Sequence, residues 1–261
     1  MGKREARRFG GRREREFGVP IPGEILPREQ WARTALKRLP EGQWEWRAIF
    51  GRAAPIVLDV GCGNGRFLLA SAIARRDHDH LGVDILPVVI RYATRRANQR
   101  GLTNVRLAVV GGLQLLERHV PPASVTEIHC YHPQPYDDAS QHSKRLVTPY
   151  FLWLVQRSLA TGGEFFIQTD NPAYWRYMRQ VIPEFFEFRE QRGPWPDAPR
   201  GRTRREIIAR RRGLPVYRGV ATLARRMSES EARAVIARLP LPTFSAPRSL
   251  MPLDEEEAGR E

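Results

Sequence analysis

The chain has 261 residues, of which 41% are hydrophobic, and its formal net charge is +14 at pH 7. No apolar run approaches the roughly 18 residues of a membrane span, and no apolar signal core opens the chain, so we expect a soluble, cytoplasmic protein without a membrane partner. Two cysteines are too few for a disulfide framework or a structural zinc site. The excess of basic residues, nearly all of them Arg, predicts attraction to a polyanion.

Charge and apolar patterning divide the chain into four parts. We predict a basic, disordered arm over residues 1–17 and an extension over residues 18–54, whose Trp31, Trp44 and Trp46 pack against the core. The main domain follows over residues 55–223. A helical extension with an acidic tail occupies residues 224–261, where Ser228 and Glu231 form a capping box.

Short β-branched runs alternate with helical patterns through the main domain. Strands are predicted at about 55–60, 80–84, 105–109, 125–131 and 164–169, and the last strands within 186–191 and 214–223. Helices are predicted at about 65–76, 87–100, 112–118, 143–159, 172–182 and 229–238. This alternation predicts a doubly wound α/β fold with a mostly parallel sheet of about seven strands. Ligands bind at the carboxyl ends of the strands in such sheets.

A glycine turn follows the first predicted strand. Gly61, Gly63 and Gly65 stand at a spacing of two, before a helical pattern that opens at Phe67. Glycines in such a turn let the backbone approach a ligand closely. The dinucleotide-binding pattern would need its third glycine at position 66, which is Arg.

The second predicted strand ends in an acid. Asp84 lies 19 residues after Gly65, close to the separation of about 20 residues at which a carboxylate accepts the ribose hydroxyls of a nucleoside. The alternative is that Asp84 only caps the helix of residues 87–100.

Together with Asp59, two residues before the first glycine, this turn resembles motif I of class I S-adenosylmethionine-dependent methyltransferases, which have a Rossmann-like fold. Further motifs resemble those of the bacterial tRNA (guanine-N7-)-methyltransferases, in the same order along residues 55–222. They are the Pro-x-Pro-aromatic loop at 133–136, Lys144-Arg145, Gln168-Thr169-Asp170-Asn171 and Thr203-x-x-Glu206. The resemblance implies S-adenosylmethionine as cofactor, tRNA as partner and methyl transfer to N7 of a guanine, by a monomer or homodimer.

The resemblance also implies the site residues, and it implies no metal. Gln134 and Asp170 take the catalytic positions. The cofactor-binding positions are Asp59, Gly61, Gly63, Gly65, Asp84, Gly111 and Glu206. The substrate-binding positions are Tyr136, Lys144, Arg145, Asp170, Thr203, Arg204 and Glu206.

Three of these positions depart from the family pattern. The loop aspartate of the family falls on Gln134, its tryptophan on Tyr136, and an acid that would face the adenine on Gly111. N7 of guanine has a free lone pair, so methyl transfer needs alignment and negative potential rather than an obligatory base. Gln134 orients the guanine in this interpretation, and the negative potential comes from one of the nearby acids Asp137, Asp138, Asp170 or Glu206.

Other interpretations stay open at this stage. The chain is alternatively a non-catalytic or weakly active S-adenosylmethionine- and RNA-binding homologue, or a methyltransferase for another substrate. Arg210-Arg211-Arg212 is either a solvated face or a phosphate contact, and Thr203 with Glu206 is either a substrate contact or only a helix cap. His78-Asp79-His80 is interpreted as a solvated turn rather than a metal site.

Overall fold

The computed structural model describes residues 14–245, so most of the predicted basic arm and the acidic tail lie outside the described residues. Seven strands form the central sheet: β1 (Ile56–Val60), β2 (Asp79–Asp84), β3 (Val105–Val109), β4 (Val125–Tyr131), β5 (Leu159–Thr169), β6 (Glu187–Glu190) and β7 (Tyr217–Thr222). Their order is β3-β2-β1-β4-β5-β7-β6. Six strands run in one direction, and β7 runs antiparallel to them, between β5 and β6. The predicted seven-stranded, mostly parallel sheet is confirmed.

Eight α-helices flank this sheet within the described residues: α1 (Trp46–Phe50), α2 (Arg66–Ala74), α3 (Pro87–Gln99), α4 (Gly112–Arg118), α5 (Pro149–Ser158), α6 (Pro172–Val181), α7 (Arg204–Arg211) and α8 (Glu229–Arg238). The predicted start at residue 143 was too early for α5. Residues Ala139–Lys144 form a 3₁₀ turn instead. Thr148 caps the helix by accepting the amide of Phe151, and Pro149 occupies its first turn.

Strand β1 lies in the middle of the sheet, and all five of its residues are buried. One core cluster contains Ile56, Leu58 and Val60 of β1 with residues of α5 and α6, and a second contains residues of α2 and α3. The strand order reverses between β1 and β4. A crevice opens at such a reversal, outside the carboxyl ends of the strands. The loops after β1, β2, β4 and β5 therefore meet at one cleft.

The N-terminal region differs from the prediction at two points. Residues Arg15–Glu16 pair with Val19–Pro20 in a hairpin, and Glu16 is buried against Asn64 and Arg66. Residues 14–17, which the prediction included in the disordered arm, are therefore part of the folded structure. Trp44 and Trp46 pack on the core, but Trp31 is 38% exposed.

The His78-Asp79-His80 stretch was wrongly interpreted as a solvated turn. Asp79 and His80 begin β2 and are buried. Asp79 pairs with Arg52 at 2.7 Å, and Nε2 of His80 lies 2.9 Å from the Ser71 hydroxyl. Within residues 14–245, no group of three or more acidic, His or Cys side chains is placed to hold a metal ion. In the same residues, no helix is both long and apolar enough to cross a membrane.

Candidate active site

The glycine turn forms one wall of the cleft. Gly61, Gly63 and Gly65 have φ values of +74°, +51° and +76°, a region that L side chains avoid. In the part of the chain that the structure describes, a Cβ at Gly61 or Gly63 would meet nothing within 4 Å, whereas one at Gly65 would lie 2.9 Å from Cβ of Ala93 in α3. The first two glycines therefore border open space, and the third permits close packing of the turn on a helix.

Asp84 ties the ends of β1 and β2 together. Its carboxylate accepts the amide of Gly63 at 3.1 Å and that of Leu86 at 3.0 Å. Leu86 is the N-cap residue of α3. Because Asp84 also bonds Gly63 in the glycine turn, it is more than a helix cap. Burial raises the pKa of Asp84, and the amide hydrogen bonds partly oppose that shift.

Asp59 is a second buried acid in the same wall, 2% exposed. Burial and the charge of Asp84 raise the pKa of Asp59 to about 8, against the opposing charge of Arg202. Two crowded carboxylates favour a ligand that brings positive charge or hydroxyl donors. Beside them, Ile85 and Leu113 are exposed apolar side chains, 61% and 38% respectively. This set of groups fits S-adenosylmethionine, which carries an ammonium, ribose hydroxyls and a purine.

Gly111 precedes α4 near this wall, where the family would place an acid. Its φ is −68°, and a Cβ there would lie 3.6 Å from Ile85, which is ordinary contact. Neither the backbone nor the packing requires glycine. Gly111 as a cofactor contact stays a prediction.

The loop after β4 faces the cleft from the other side. It begins at His132 and ends at Tyr136, and both residues have left-handed φ values, +53° and +38°. Pro133 and Pro135 restrict the backbone between them. Gln134, at the tip, is exposed. The loop is therefore a constrained platform that presents one amide side chain to solvent.

A buried ion pair lies beneath this loop. Asp170 accepts from Nε of Arg205 at 2.8 Å, and its other oxygen lies 3.1 Å from Nδ1 of His132. Burial alone would raise the pKa of Asp170, but His132 and Arg205 hold it well below its usual range. Asp170 is ionised, only 4% exposed, and its charge is matched by Arg205. Its predicted catalytic role would have to act through this pair.

Glu206 is more deeply buried, with no exposed surface. It pairs with Arg218, accepts the amide of Arg202 at 2.8 Å and accepts from Nε2 of Gln168 at 3.2 Å. Thr203 caps α7 by accepting the amide of Glu206 at 3.1 Å. In the described structure, Thr203 and Glu206 form the start of α7. This favours the interpretation of the two residues as a helix cap over that of a substrate contact.

The remaining substrate-binding candidates divide by exposure. Lys144 is exposed, and Tyr136 is half-buried. Arg145 is 1% exposed. Arg204 is buried, and its Nη1 lies 3.6 Å from Oε1 of Glu16. The resemblance had placed all four at the RNA. Only the first two have a side chain open to a large ligand.

Sequence reasoning did not single out Arg202. Its guanidinium carbon lies 4.2 Å from the ring centroid of Trp195, and it donates to the Tyr131 hydroxyl at 2.6 Å. It also pairs with Asp197 at 2.6 Å. The positive charge of Arg202 stabilises ionised Asp59. No local signal distinguished it from the seven other arginines between residues 200 and 218.

An open groove of about 410 Å³ lies between the N-terminal hairpin and α7. Arg200, Arg210 and Arg211 line it and are exposed. Arg210 also donates to the Pro199 carbonyl at 2.6 Å, and Arg211 to that of Phe17 at 3.3 Å. These three exposed arginines line one shallow groove, so their positive charges are clustered, and such a cluster attracts an anionic ligand.

Comparisons with known proteins agree with this geometry. Residues 53–218 match a protein family described as "Putative methyltransferase". A tRNA (guanine-N(7)-)-methyltransferase of Halorhodospira halophila is 33% identical over 65% of this chain and 75% of its own length. One from Alkalilimnicola ehrlichii is 32% identical over 82% and 89%. The crystal structure of the 16S rRNA methyltransferase KamB shares the fold, with a TM-score of 0.56 at 17% identity, over 74% of this chain and 99% of that one.

Proposed function

Because the chain belongs to the tRNA (guanine-N7-)-methyltransferase family, we propose that it transfers a methyl group from S-adenosylmethionine to N7 of a guanine in tRNA. One observation carries the proposal for this particular chain. The constrained loop after β4 presents the exposed Gln134 beside the cleft that the glycine turn and Asp84 form.

The chain needs to hold the cofactor and align the base. S-adenosylmethionine supplies an electrophilic methyl group on a sulfonium. The turn at Gly61 and Gly63 leaves room for it, and Asp84 provides a carboxylate for its hydroxyl groups. Because the pKa of Asp59 is raised to about 8, Asp59 becomes a carboxylate only when the positive charge of the bound cofactor lowers that pKa. N7 carries no proton, so no residue has to act as a general base. The pairing of Asp170 and Glu206 with arginines is compatible with that chemistry.

Negative potential helps because the purine becomes cationic as the methyl arrives. Gln134 carries no charge, and Asp170 is matched by Arg205. Asp137 and Asp138 follow the loop and are exposed. Hydrogen bonds from Ser140 lower the pKa of Asp138, which keeps it ionised. We infer that these two acids supply the potential and that Gln134 orients the guanine edge.

The tRNA backbone has a separate place to bind. Lys144 next to the loop and the arginine groove beside α7 are exposed and basic. Contacts with phosphates release counterions, so affinity for tRNA should fall steeply with salt. We place the protein in the cytoplasm, where its substrate is made.

The decisive experiment is to incubate the protein with bulk tRNA and methyl-labelled cofactor and to identify the labelled nucleoside. We expect 7-methylguanosine. Asp84→Ala serves as a control with a weakened cofactor site. Label in another nucleoside or in no RNA at all would contradict the proposal.

The second candidate is a protein that binds cofactor and tRNA without turnover. The replacement of the family's loop aspartate by Gln134 favours it. Retained binding of both ligands, with no labelled nucleoside after prolonged incubation, would establish it in place of the enzyme.

A further inference from the structure

Arg145 belongs to the motif that the resemblance assigns to RNA, yet its side chain lies inside the protein. Its guanidinium donates through three nitrogens to three backbone carbonyls. Nε donates to the Pro135 carbonyl at 2.5 Å, and Nη2 donates to the Tyr136 carbonyl at 2.6 Å. The third bond, also 2.6 Å, goes from Nη1 to the Pro242 carbonyl in the segment after α8. One side chain thus joins the loop to a distant part of the chain.

That distant segment, residues 240–244, is itself anchored. The ring of Phe244 lies against the guanidinium, with 3.8 Å between its centroid and the central carbon. Phe244 also packs against Tyr174, at 5.0 Å between ring centroids. The hydroxyl of Tyr177 donates to the Pro240 carbonyl at 2.9 Å. The segment is therefore fixed to α6, and it holds one face of Arg145.

This surrounding leaves Arg145 unable to reach a phosphate. Its side chain is only 1% exposed. No carboxylate of residues 14–245 forms an ion pair with it, so its charge is balanced by carbonyl dipoles and an aromatic ring. Lys144, its neighbour, is exposed. The two adjacent basic residues therefore have different surroundings, one inside the protein and one open to solvent.

The hydrogen bonds of Arg145 go to the end of the loop, where the backbone of Tyr136 has an unfavourable conformation. Tyr136 has a φ of +38°, a conformation that persists only where surrounding contacts hold it. Its carbonyl and that of Pro135 both accept from Arg145, directly after Gln134.

We propose that Arg145 is a positioning residue, through which residues 240–244 hold the loop so that Gln134 meets the guanine. The proposal rests on the proposed function for its kinetic consequence. Its structural consequence, a loop that loosens when the link is broken, does not depend on turnover.

The test compares two pairs of full-length variants. Arg145→Lys keeps the charge but cannot bond three carbonyls, and Phe244→Leu keeps apolar bulk but removes the aromatic face. For both, we expect kcat to fall about tenfold or more while KM for tRNA and cofactor stays within about threefold. The matched control for Arg145→Lys is Lys144→Met, which should raise KM for tRNA and retain kcat. The matched control for Phe244→Leu is Leu241→Ala in residues 240–244, where Leu241 is 64% exposed, and it should change neither kcat nor KM.

A second readout separates this proposal from the proposed function. Exchange of the His132 amide hydrogen, which is protected because it donates to the Gln168 carbonyl at 2.7 Å, should accelerate about tenfold or more in Arg145→Lys and Phe244→Leu, but not in the controls. This result supports the link even if the wild type shows no turnover. Unchanged exchange in both variants would overturn the proposal. So would an Arg145→Lys variant that keeps kcat, loses tRNA affinity and shows a reduced salt slope, because that is the behaviour of a phosphate contact.

Discussion

The side of the cleft that we propose for the cofactor, at the ends of β1 and β2, borders open space. On the side that we propose for the substrate, at the ends of β4 and β5, the buried charged groups are paired with one another. On the first side, no atom of residues 14–245 would lie within 4 Å of a Cβ at Gly61 or Gly63, and within the same residues Asp84 bonds only backbone amides. On the second, Asp170 and Glu206 are each paired with an arginine and buried.

This contrast teaches that membership of a motif does not decide what a charged residue touches. A carboxylate on backbone amides keeps a net charge for a ligand, while one paired with arginine has little charge left to offer. On the β4 and β5 side, Arg145 and Asp170 bond the loop, and Glu206 builds the start of α7 instead. The groups open to a substrate are fewer, chiefly Gln134, Tyr136 and Lys144.

The largest effect is expected from removing a buried ion pair at the ends of β4 and β5, the pair of Glu206 with Arg218. Glu206→Gln removes the partner of Arg218, which is 5% exposed, and leaves a buried charge unpaired. We expect the free energy of unfolding to fall by about 3–5 kcal/mol, measured by urea denaturation. Glu229→Gln is the control, because its pair with Arg233 is exposed and worth less than about 0.5 kcal/mol. Equal losses in the two variants would remove the contrast.

At the ends of β1 and β2, a substitution should change cofactor affinity rather than the free energy of unfolding. Asp84→Ala should weaken cofactor binding by about 1–3 kcal/mol, because hydrogen bonds to a charged group are lost. Isothermal titration calorimetry on the folded variant measures this change. Asp77→Ala, whose side chain is 78% exposed, should bind like the wild type. Unchanged affinity in Asp84→Ala would remove Asp84 from the cofactor site.

Asp59 gives the open side a dependence on pH. Its pKa of about 8 lies above the unfolded value, so the folded state binds more protons between about pH 4 and 8. The free energy of unfolding therefore falls as pH rises through this window. Asp59→Asn lacks the titrating group, so its stability relative to the wild type should rise between pH 5 and pH 8.5 by on the order of 4 kcal/mol, because each pH unit up to the pKa of about 8 contributes about 1.4 kcal/mol. Urea denaturation at both values checks this, and a difference independent of pH would refute it.

The smallest effect is expected at the tip of the loop. Gln134→Ala should lower kcat about tenfold and change KM less, because orientation matters most as charge develops. Gln134→Asp should stay within about tenfold of the wild type or exceed it, since the backbone geometry is retained. Ser143→Ala, exposed on the following turn, is the control. Single-turnover kinetics would show whether Gln134→Ala leaves the chemical step untouched, which would exclude the role given to it.

The fold was largely predictable because its signals are local. The apolar run Ile56–Val60, the helix of residues 112–118 and the capping box at Ser228 lie where the sequence placed them. Periodicity and caps involve neighbours in sequence, so they can be recognised without knowing the fold. The glycine turn and Asp84 also come together as predicted, because parallel strands end at the same edge of the sheet.

The partners of the charged residues could not be predicted in the same way. Arg145 bonds Pro242, which lies 97 residues away, and Asp170 pairs with Arg205 across 35 residues. Nothing in the sequence near Arg145 distinguishes a buried arginine from an exposed one. The failed interpretation of His80 has the same cause, because its burial comes from the sheet rather than from its polar neighbours.

The N-terminal hairpin contacts residues that lie far along the chain, and this affects the order in which tertiary contacts form during synthesis. Glu16 contacts Asn64 beside the glycine turn and Arg204 at the start of α7, and Arg211 donates to the Phe17 carbonyl across 194 residues. The hairpin therefore cannot complete its contacts until the ribosome has released α7. Contacts of such long sequence separation form late, because the loop between them must be closed before they stabilise anything. The hairpin of residues 15–20 is thus among the last parts of the described structure to form its contacts, and its bond to Asn64 in the glycine turn is made only when most of that structure is already in place.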